Sequence, residues 1–251
     1  MNTTDVLNKE FFAQDFEEKQ PYAEMLDRYK SIARNYAQME NAIAVLSDLR
    51  NNSGYIFYGG FSKMLKTDNS GKCDRLSTIW EEDLFRLIHP DDLAGKHLQE
   101  LCFFHFIKRQ PKRKRTEYYL TSRLRMLDKS NNFIPALHRM FYIPNPSNNA
   151  LWLALCLYSP LPLDMPAQCL IINSVNGQMR ELTRQDKTKI LSVREKQVLS
   201  LINKGLTSKD IAEMLCISRN TVNRHRQEIL SKLQAKNSIE ACRTAKDLNL
   251  I

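Results

Sequence analysis

One short segment near the C-terminus carries the most legible chemistry in this chain. Asn220, Asn223, Arg224, Gln227 and Ser231 follow one another at spacings of 3, 1, 3 and 4, the period of one helix face. None is a large apolar residue, and every one can donate a hydrogen bond. Asn and Gln match the paired donor and acceptor on adenine's major-groove edge, and Arg matches the two acceptors of guanine. Asn220, Asn223, Arg224 and Gln227 are therefore candidate base readers. Arg219 and Arg226 flank the face, where a duplex would present phosphates. A merely solvated helix face mixes Glu and Lys freely. Here only Glu228 intervenes, toward the far end.

Such a helix needs a scaffold, and the surrounding sequence supplies one. Val222, His225, Ile229 and Leu233 form the opposite, apolar stripe of the same helix. Ahead of it lie two shorter helical segments with clear punctuation. Ser192 and Glu195 have the spacing of a capping box, Val198, Leu199, Leu201 and Ile202 give that helix its apolar side, and Gly205 ends it. Thr207 or Ser208 opens the second, with Ile211, Ala212, Met214 and Leu215 inward. Leu215–Ser218 is a tight turn, and Ser218 caps the third helix. Asn237 and Ser238 open a fourth, ending near Leu248. Two short helices joined by a four-residue turn predict a helix-turn-helix. Charge agrees: residues 182–251 hold fourteen Lys/Arg against seven Asp/Glu, net +7, out of +9 for the chain. A basic domain on a nearly neutral body points to a polyanion.

The run LSVREKQVLSLINKGLTSKDIAEMLCISRNTVNRHRQEILSKL resembles the LuxR-type (GerE-like) DNA-binding domain. The matching positions are Leu191, Arg194, Glu195, Val198, Leu199, Gly205, Lys209, Ile211, Ala212, Leu215, Ser218, Thr221, Val222, His225, Lys232 and Leu233. The resemblance implies a dimeric transcriptional regulator with its third helix in the major groove. It places Asn223, Arg224 and Gln227 at base-reading positions, and Lys209, Thr221 and Lys232 at backbone-contacting ones. Asn223 stands where the family often has lysine. The fourth helix falls where such domains often pair, and Ala241, Cys242 and Ala245 are small enough for close helix approach or for a core.

The longer N-terminal part reads as α+β. Tyr22, Met25, Tyr29, Ile32, Tyr36, Met39, Ile43 and Leu46 alternate three and four apart without Gly or Pro, which predicts one long helix over 22–49, packed on its own domain or on a second subunit. A strand at 54–58, a helix over 80–88 and a second, capped by His89-Pro90-Asp91-Asp92, over 93–107 follow. From Thr116 the period becomes two, with strands to about 126, over 133–143 and over 150–158; Pro135 marks an edge position or a bulge. Asn176-Gly177 between 169–173 and 178–182 is a hairpin signal. The result is an antiparallel sheet of roughly five strands with helices inserted early. This order resembles a PAS-like sensor domain over about residues 40–165, a resemblance that implies dimerisation or ligand sensing.

Other chemistry is poorly represented. No Gly-rich phosphate loop, GxSxG elbow or HExxH occurs, and the acidic residues lack a phospho-receiver layout, so no catalytic residue and no enzymatic activity are expected. The six cysteines show no CxxC pairing. His89, His97 and His105 recur every eight residues, about 80° off register on a helix, so neither metal ligands nor a cofactor are expected. His225 lies on the apolar stripe as a packed residue. Nine residues, Ala150–Tyr158, make the longest apolar stretch, too short to span a bilayer, and the N-terminus shows no secretory signal. Lys108 to Arg115 carries six basic residues in eight, either a solvated loop or an auxiliary phosphate or acidic-partner contact.

The sequence thus predicts a PAS-like domain over 1–182 with its N-terminal helix, a linker at 183–190, and an all-α four-helix helix-turn-helix domain over 191–251. The expected function is that of a cytoplasmic, sequence-specific DNA-binding transcriptional regulator. Its partners would be double-stranded DNA and a second copy, with RNA polymerase and a small-molecule effector as further candidates and no membrane. The phosphate-contacting set is Lys209, Arg219, Thr221, Arg226 and Lys232. The competing reading is a protein-interaction module whose basic bundle docks on RNA polymerase or an acidic regulator.

Overall fold

The computed structural model describes residues 3–16, 21–67, 69, 71–148, 150–162, 165, 168–182, 191–233, 235 and 237–247. The predicted linker at 183–190 lies outside them. The chain divides into two compact units. One comprises Phe11–Leu93 and Phe103–Glu181; the other comprises Leu182–Ile251 with Met1–Glu10 and Ala94–Cys102.

The first unit is built on an eight-stranded antiparallel sheet. Its strands are β1 (Ile43–Asp48), β2 (Ser53–Tyr58), β3 (Cys73–Leu76), β4 (Tyr118–Leu127), β5 (Phe133–Pro144), β6 (Leu151–Pro160), β7 (Cys169–Asn173) and β8 (Met179–Glu181). They lie in the order β3-β2-β1-β6-β5-β4-β7-β8. Helix α1 (Thr3–Phe12) opens the chain, and α2 (Tyr22–Met39) precedes β1. The short α3 (Glu82–Phe85) and the long α4 (Pro90–Arg109) fall between β3 and β4. His89 caps α4 by accepting the Asp91 N–H at Nδ1, 3.3 Å away, with Pro90 in the first turn. Proline has no N–H to strand there.

Helix α2 lays Tyr22, Ala33 and Ala37 against Ala44, Leu46 and Phe57 and against Leu153, Leu155 and Leu157 of β6. Alternation along each strand sends the next residues to the other face. There Tyr158, His138 and Ser122 stand opposite one another on β6, β5 and β4, all buried. Ser122 Oγ lies 3.1 Å from His138 Nδ1, and the Tyr158 hydroxyl donates to Glu81 Oε1 at 2.6 Å.

Three expectations need correction. The helix predicted over 22–49 ends at Met39, because Asn41 adopts a left-handed φ of 53° and turns the chain into β1. Ile43 and Leu46 kept the helical spacing by coincidence. Every residue from Ile43 to Asp48 is buried, and a continuous apolar run fits a strand covered on both faces equally well. The helix expected over 80–88 shrinks to Glu82–Phe85. The sheet exceeds five strands partly because β3, with the polar sequence Cys-Asp-Arg-Leu, is an edge strand exposed along most of its length. Pro135 pairs with Arg125 on one side and lies just outside the β5–β6 ladder on the other, which begins at Ala136. That is the edge-like position a missing N–H permits.

The C-terminal segment of the second unit carries, among the described residues, four helices, α5 (Val193–Asn203), α6 (Ser208–Leu215), α7 (Arg219–Lys232) and α8 (Ser238–Asp247). They pack around Leu191, Val198, Leu199, Ile211, Val222 and Ile229. Ala241, Cys242 and Ala245 are buried in this core, which settles their role within the domain.

At Gly59 the last turns of α2 pass close to the backbone that follows β2. A Cβ there would collide with the backbone carbonyl oxygens of Ala37 and Ala42, neither of which is free to swing aside. Gly59→Ala is expected to destabilise the protein by about 3 kcal/mol, the upper range for overpacking. A urea titration checks this; an unchanged midpoint would show that α2 shifts at little cost.

Candidate nucleic-acid interface

Helix α7 is defined at its start by Ser218, whose Oγ accepts the Thr221 N–H at 3.0 Å and lies 2.8 Å from the Thr221 hydroxyl. Before it, α6 stops at Cys216, which takes a left-handed φ of 52°, and Ile217 N–H bonds back to Ala212 O at 3.0 Å. This sharp reversal sets α7 across α6. Capping boxes start both preceding helices: Ser192 with Glu195, and Thr207 with Asp210. The hydrogen bonds from Thr207 hold the Asp210 carboxyl below its ordinary value. Gly205 at φ +85° ends α5, a conformation any side chain would strain.

Burial divides α7 as the spacing predicts. Val222, Ile229 and Leu233 are buried, and His225 is largely covered. Arg219, Asn220, Asn223, Arg224 and Gln227 are exposed. The Ser231 side chain lies outside the described residues. Arg224 remains 68% exposed although its Nε is 3.8 Å from Glu228 Oε1, too distant for a hydrogen bond. The guanidinium is therefore available to a partner. The exposed face is a polar ridge of amide and guanidinium groups, able to pair with base edges in a groove wide enough for a helix.

The proposed phosphate contacts separate into two groups. Lys209 and Arg219 are exposed, and Thr221 sits beside the cap at the N-terminal end of α7. Arg226 instead donates to Ser208 Oγ at 3.3 Å and Ser238 Oγ at 2.9 Å, joining the starts of α6 and α8. Lys232 donates to both oxygens of Glu195, at 2.7 and 2.8 Å. Arg194 likewise donates to Leu215 O at 2.6 Å, fastening α5 to the end of α6. Glu195 is the functional residue that sequence reasoning saw only in part. Its capping role is local, but its partner Lys232 is 37 positions away, a distance no spacing rule covers.

Ligand atoms of Glu195, His225 and Glu228 lie within 4.8 Å of one another. Lys232 and the Ser192 N–H already satisfy the Glu195 carboxylate, so the trio reads as a polar edge of the core.

A four-helix domain that buries one side of α7 and presents amide and guanidinium groups on the other has the form of a helix-turn-helix. Residues 189–245 match the family model described as "Bacterial regulatory proteins, luxR family" (GerE), so this part of the chain is similar to the helix-turn-helix domain of that family. Over 80 residues the chain is 41% identical to the oxygen regulatory protein NreC of Staphylococcus haemolyticus, covering 31% of this chain and 37% of that protein. NreC of Staphylococcus epidermidis is 38% identical over 81 residues, with the same coverage. The chain thus spans little more than a third of the curated relatives it matches. Among solved structures, a phage VqmA–DPO complex covers 90% of both chains at 15% identity and a TM-score of 0.33. Escherichia coli SdiA covers 99% of this chain and 97% of its own at 15% identity and a TM-score of 0.24. Neither superposition defines a shared fold for the whole chain. Among the described residues, no helix is long and apolar enough to cross a membrane.

Burial pushes the Glu195 carboxyl up, but the Lys232 ammonium and the Ser192 hydrogen bonds outweigh it and hold the group below its ordinary value. A carboxyl depressed in the folded state stabilises above its unfolded pKa of about 4.3 and loses that contribution as pH falls through the folded value. The domain should therefore lose stability below about pH 4, and Glu195→Gln should flatten that acid limb in thermal melts followed by circular dichroism. Lys232→Met leaves the carboxylate buried and unpaired, and should cost about 3 kcal/mol, the lower end for such pairs because Lys232 is partly exposed.

Proposed function

We propose that the chain is a sequence-specific DNA-binding transcriptional regulator, acting in the cytoplasm on double-stranded DNA as a homodimer and catalysing no reaction. The observation that carries this is the exposure of Asn220, Asn223, Arg224 and Gln227 on one face of α7 while Val222, Ile229 and Leu233 are buried on the other. In this reading α7 lies in the major groove. Arg224 pairs with guanine, and Asn220, Asn223 and Gln227 pair with adenine or neighbouring edges. Lys209, Arg219 and the Thr221 hydroxyl hold the flanking phosphates. Arg226 and Lys232 assist chiefly by fixing the helix that presents the readers, and approach the backbone with whatever donors remain.

The first unit serves in this proposal as a PAS-like module that receives a signal or pairs subunits, within a domain over 1–182 joined by the linker at 183–190. Its antiparallel strands, interrupted between β3 and β4 by helices, support that assignment. A small-molecule effector and RNA polymerase complete the proposed partners. NreC is described as an oxygen regulatory protein; a regulatory role of that general kind is carried over, its signal is not.

Selection from a random duplex pool should return a palindrome, since a two-fold protein reads two half-sites. On the selected site Arg224→Ala should cost about 1–3 kcal/mol and relax preference at one base pair, whereas Lys209→Ala should weaken cognate and scrambled duplexes alike. Equal losses on both duplexes for both variants would remove the base-reading assignment. Failure to enrich any site would favour the competing view, a basic bundle that docks on another protein.

A further inference from the structure

The basic run Lys108–Arg115 has a built conformation. It leaves the end of α4 through Pro111 and forms a 3-10 turn over Lys112–Glu117, closed by Lys114 N–H to Pro111 O at 2.8 Å. Arg115 folds back as a staple. Its Nη2 donates to Lys108 O at 3.0 Å and its Nε reaches Gln110 O at 3.4 Å. Lys108 rests its ammonium 5.1 Å from the centre of the Phe104 ring. That accounts for two of the six cations.

The other four, Arg109, Lys112, Arg113 and Lys114, are exposed. Among the described residues none of the four forms an ion pair or a side-chain hydrogen bond. The run contains no acid until Glu117, which accepts from Asn173 Nδ2 at 3.2 Å. A solvated loop has no need to gather like charges at one turn, and a short 3-10 segment keeps them close together. Such crowding is unfavourable by itself and becomes favourable when a polyanion neutralises it.

From this arrangement we infer that Arg109, Lys112, Arg113 and Lys114 form a second, sequence-independent contact to the phosphate backbone of DNA, outside the helix-turn-helix. DNA is favoured over an acidic protein because the same chain carries the helix-turn-helix proposed above to bind DNA, and because four exposed cations gathered at one turn match the dense row of phosphate charges on a duplex. The inference rests on the DNA-binding reading above and adds a contact to it. The contact would raise affinity for every duplex equally, since phosphates carry no sequence information.

The test uses the full chain and a duplex carrying the selected site with long flanks. Affinity is measured by fluorescence anisotropy across a salt series. One variant replaces Arg109, Lys112, Arg113 and Lys114 with Gln and keeps Arg115, so the staple survives; circular dichroism and thermal melting verify the fold. A control variant removes equal charge elsewhere through Arg28, Lys63, Lys66 and Lys72, all exposed, changed to Gln. Each lost phosphate contact lowers the slope of log K against log salt by about 0.9. The loop variant should therefore lose about 2–4 units of slope and about tenfold or more in affinity, with the ratio of selected to scrambled duplex unchanged. The control should keep the wild-type slope. Wild-type slope in the loop variant, or equal slope losses in both variants, would overturn the inference while leaving the DNA-binding reading intact. A wild-type chain that ignored all duplexes at low salt would overturn both.

Discussion

The pairing of Glu195 with Lys232 is the constraint on which the C-terminal unit depends. Glu195 sits in the first turn of α5 and is almost wholly buried; Lys232 closes the last turn of α7. A carboxylate in that position must be satisfied or it would destabilise the fold. The ammonium and the Ser192 N–H satisfy it together. The cap that starts the first helix is thereby also the anchor that ends the third. The core residues Val222 and Ile229 press α7 inward, but apolar contact is non-directional. The ion pair adds direction, and with it a defined rotation of the polar ridge.

The cations of this unit divide by what they do. Arg194, Arg226 and Lys232 face the domain: Arg194 and Lys232 each link two helices through a carbonyl or a carboxylate, and Arg226 links α7 to both α6 and α8 through two hydroxyls. Lys209, Arg219 and Arg224 face outward. The segment's net charge of +7 already sets Glu195 against Lys232, and Arg194 and Arg226 keep their full charge because their acceptors are neutral, so the inward-facing cations still add to the field that attracts a polyanion. The fastening cations sit at helix ends, where free carbonyls and carboxylates would otherwise turn to water. Arginine suits the two-armed bridge from Arg226, since its planar donors reach Ser208 and Ser238 at once, a geometry lysine lacks.

Legibility in the sequence followed the range of the interaction. The four C-terminal helices were readable almost to the residue because their boundaries are set locally, by Ser192 with Glu195, Thr207 with Asp210, Ser218 with Thr221, and Gly205 in a left-handed conformation. The exposed ridge was readable for the same reason, since burial of one helix face fixes the other. The inward roles of Arg226 and Lys232 were not, because their partners are chosen by packing across 12 to 37 positions. In the first unit the failures have the same origin. Asn41 is an ordinary residue until its φ becomes positive, and nothing local distinguishes Ile43–Asp48 as a strand from a continuing helix. Strand β3 lacks an apolar pattern because it is held by backbone pairing to β2 along an edge.

The sheet shows how a polar row can be useful inside an apolar core. Tyr158 stands opposite His138, and His138 opposite Ser122, so three strands contribute one polar group each to a single line across the face remote from α2. A slip of β5 by one residue would turn His138 toward the opposite face, where Leu153, Leu155 and Leu157 pack with α2. A buried imidazole there would meet aliphatic groups in place of the Ser122 hydroxyl. Apolar residues tolerate such exchanges with modest loss; the Ser122–His138 pair does not, because moving His138 would take the imidazole away from the buried Ser122 hydroxyl. The pair therefore penalises the wrong register more heavily than the surrounding Leu and Ile do, where β5, the longest strand of the sheet, meets β4.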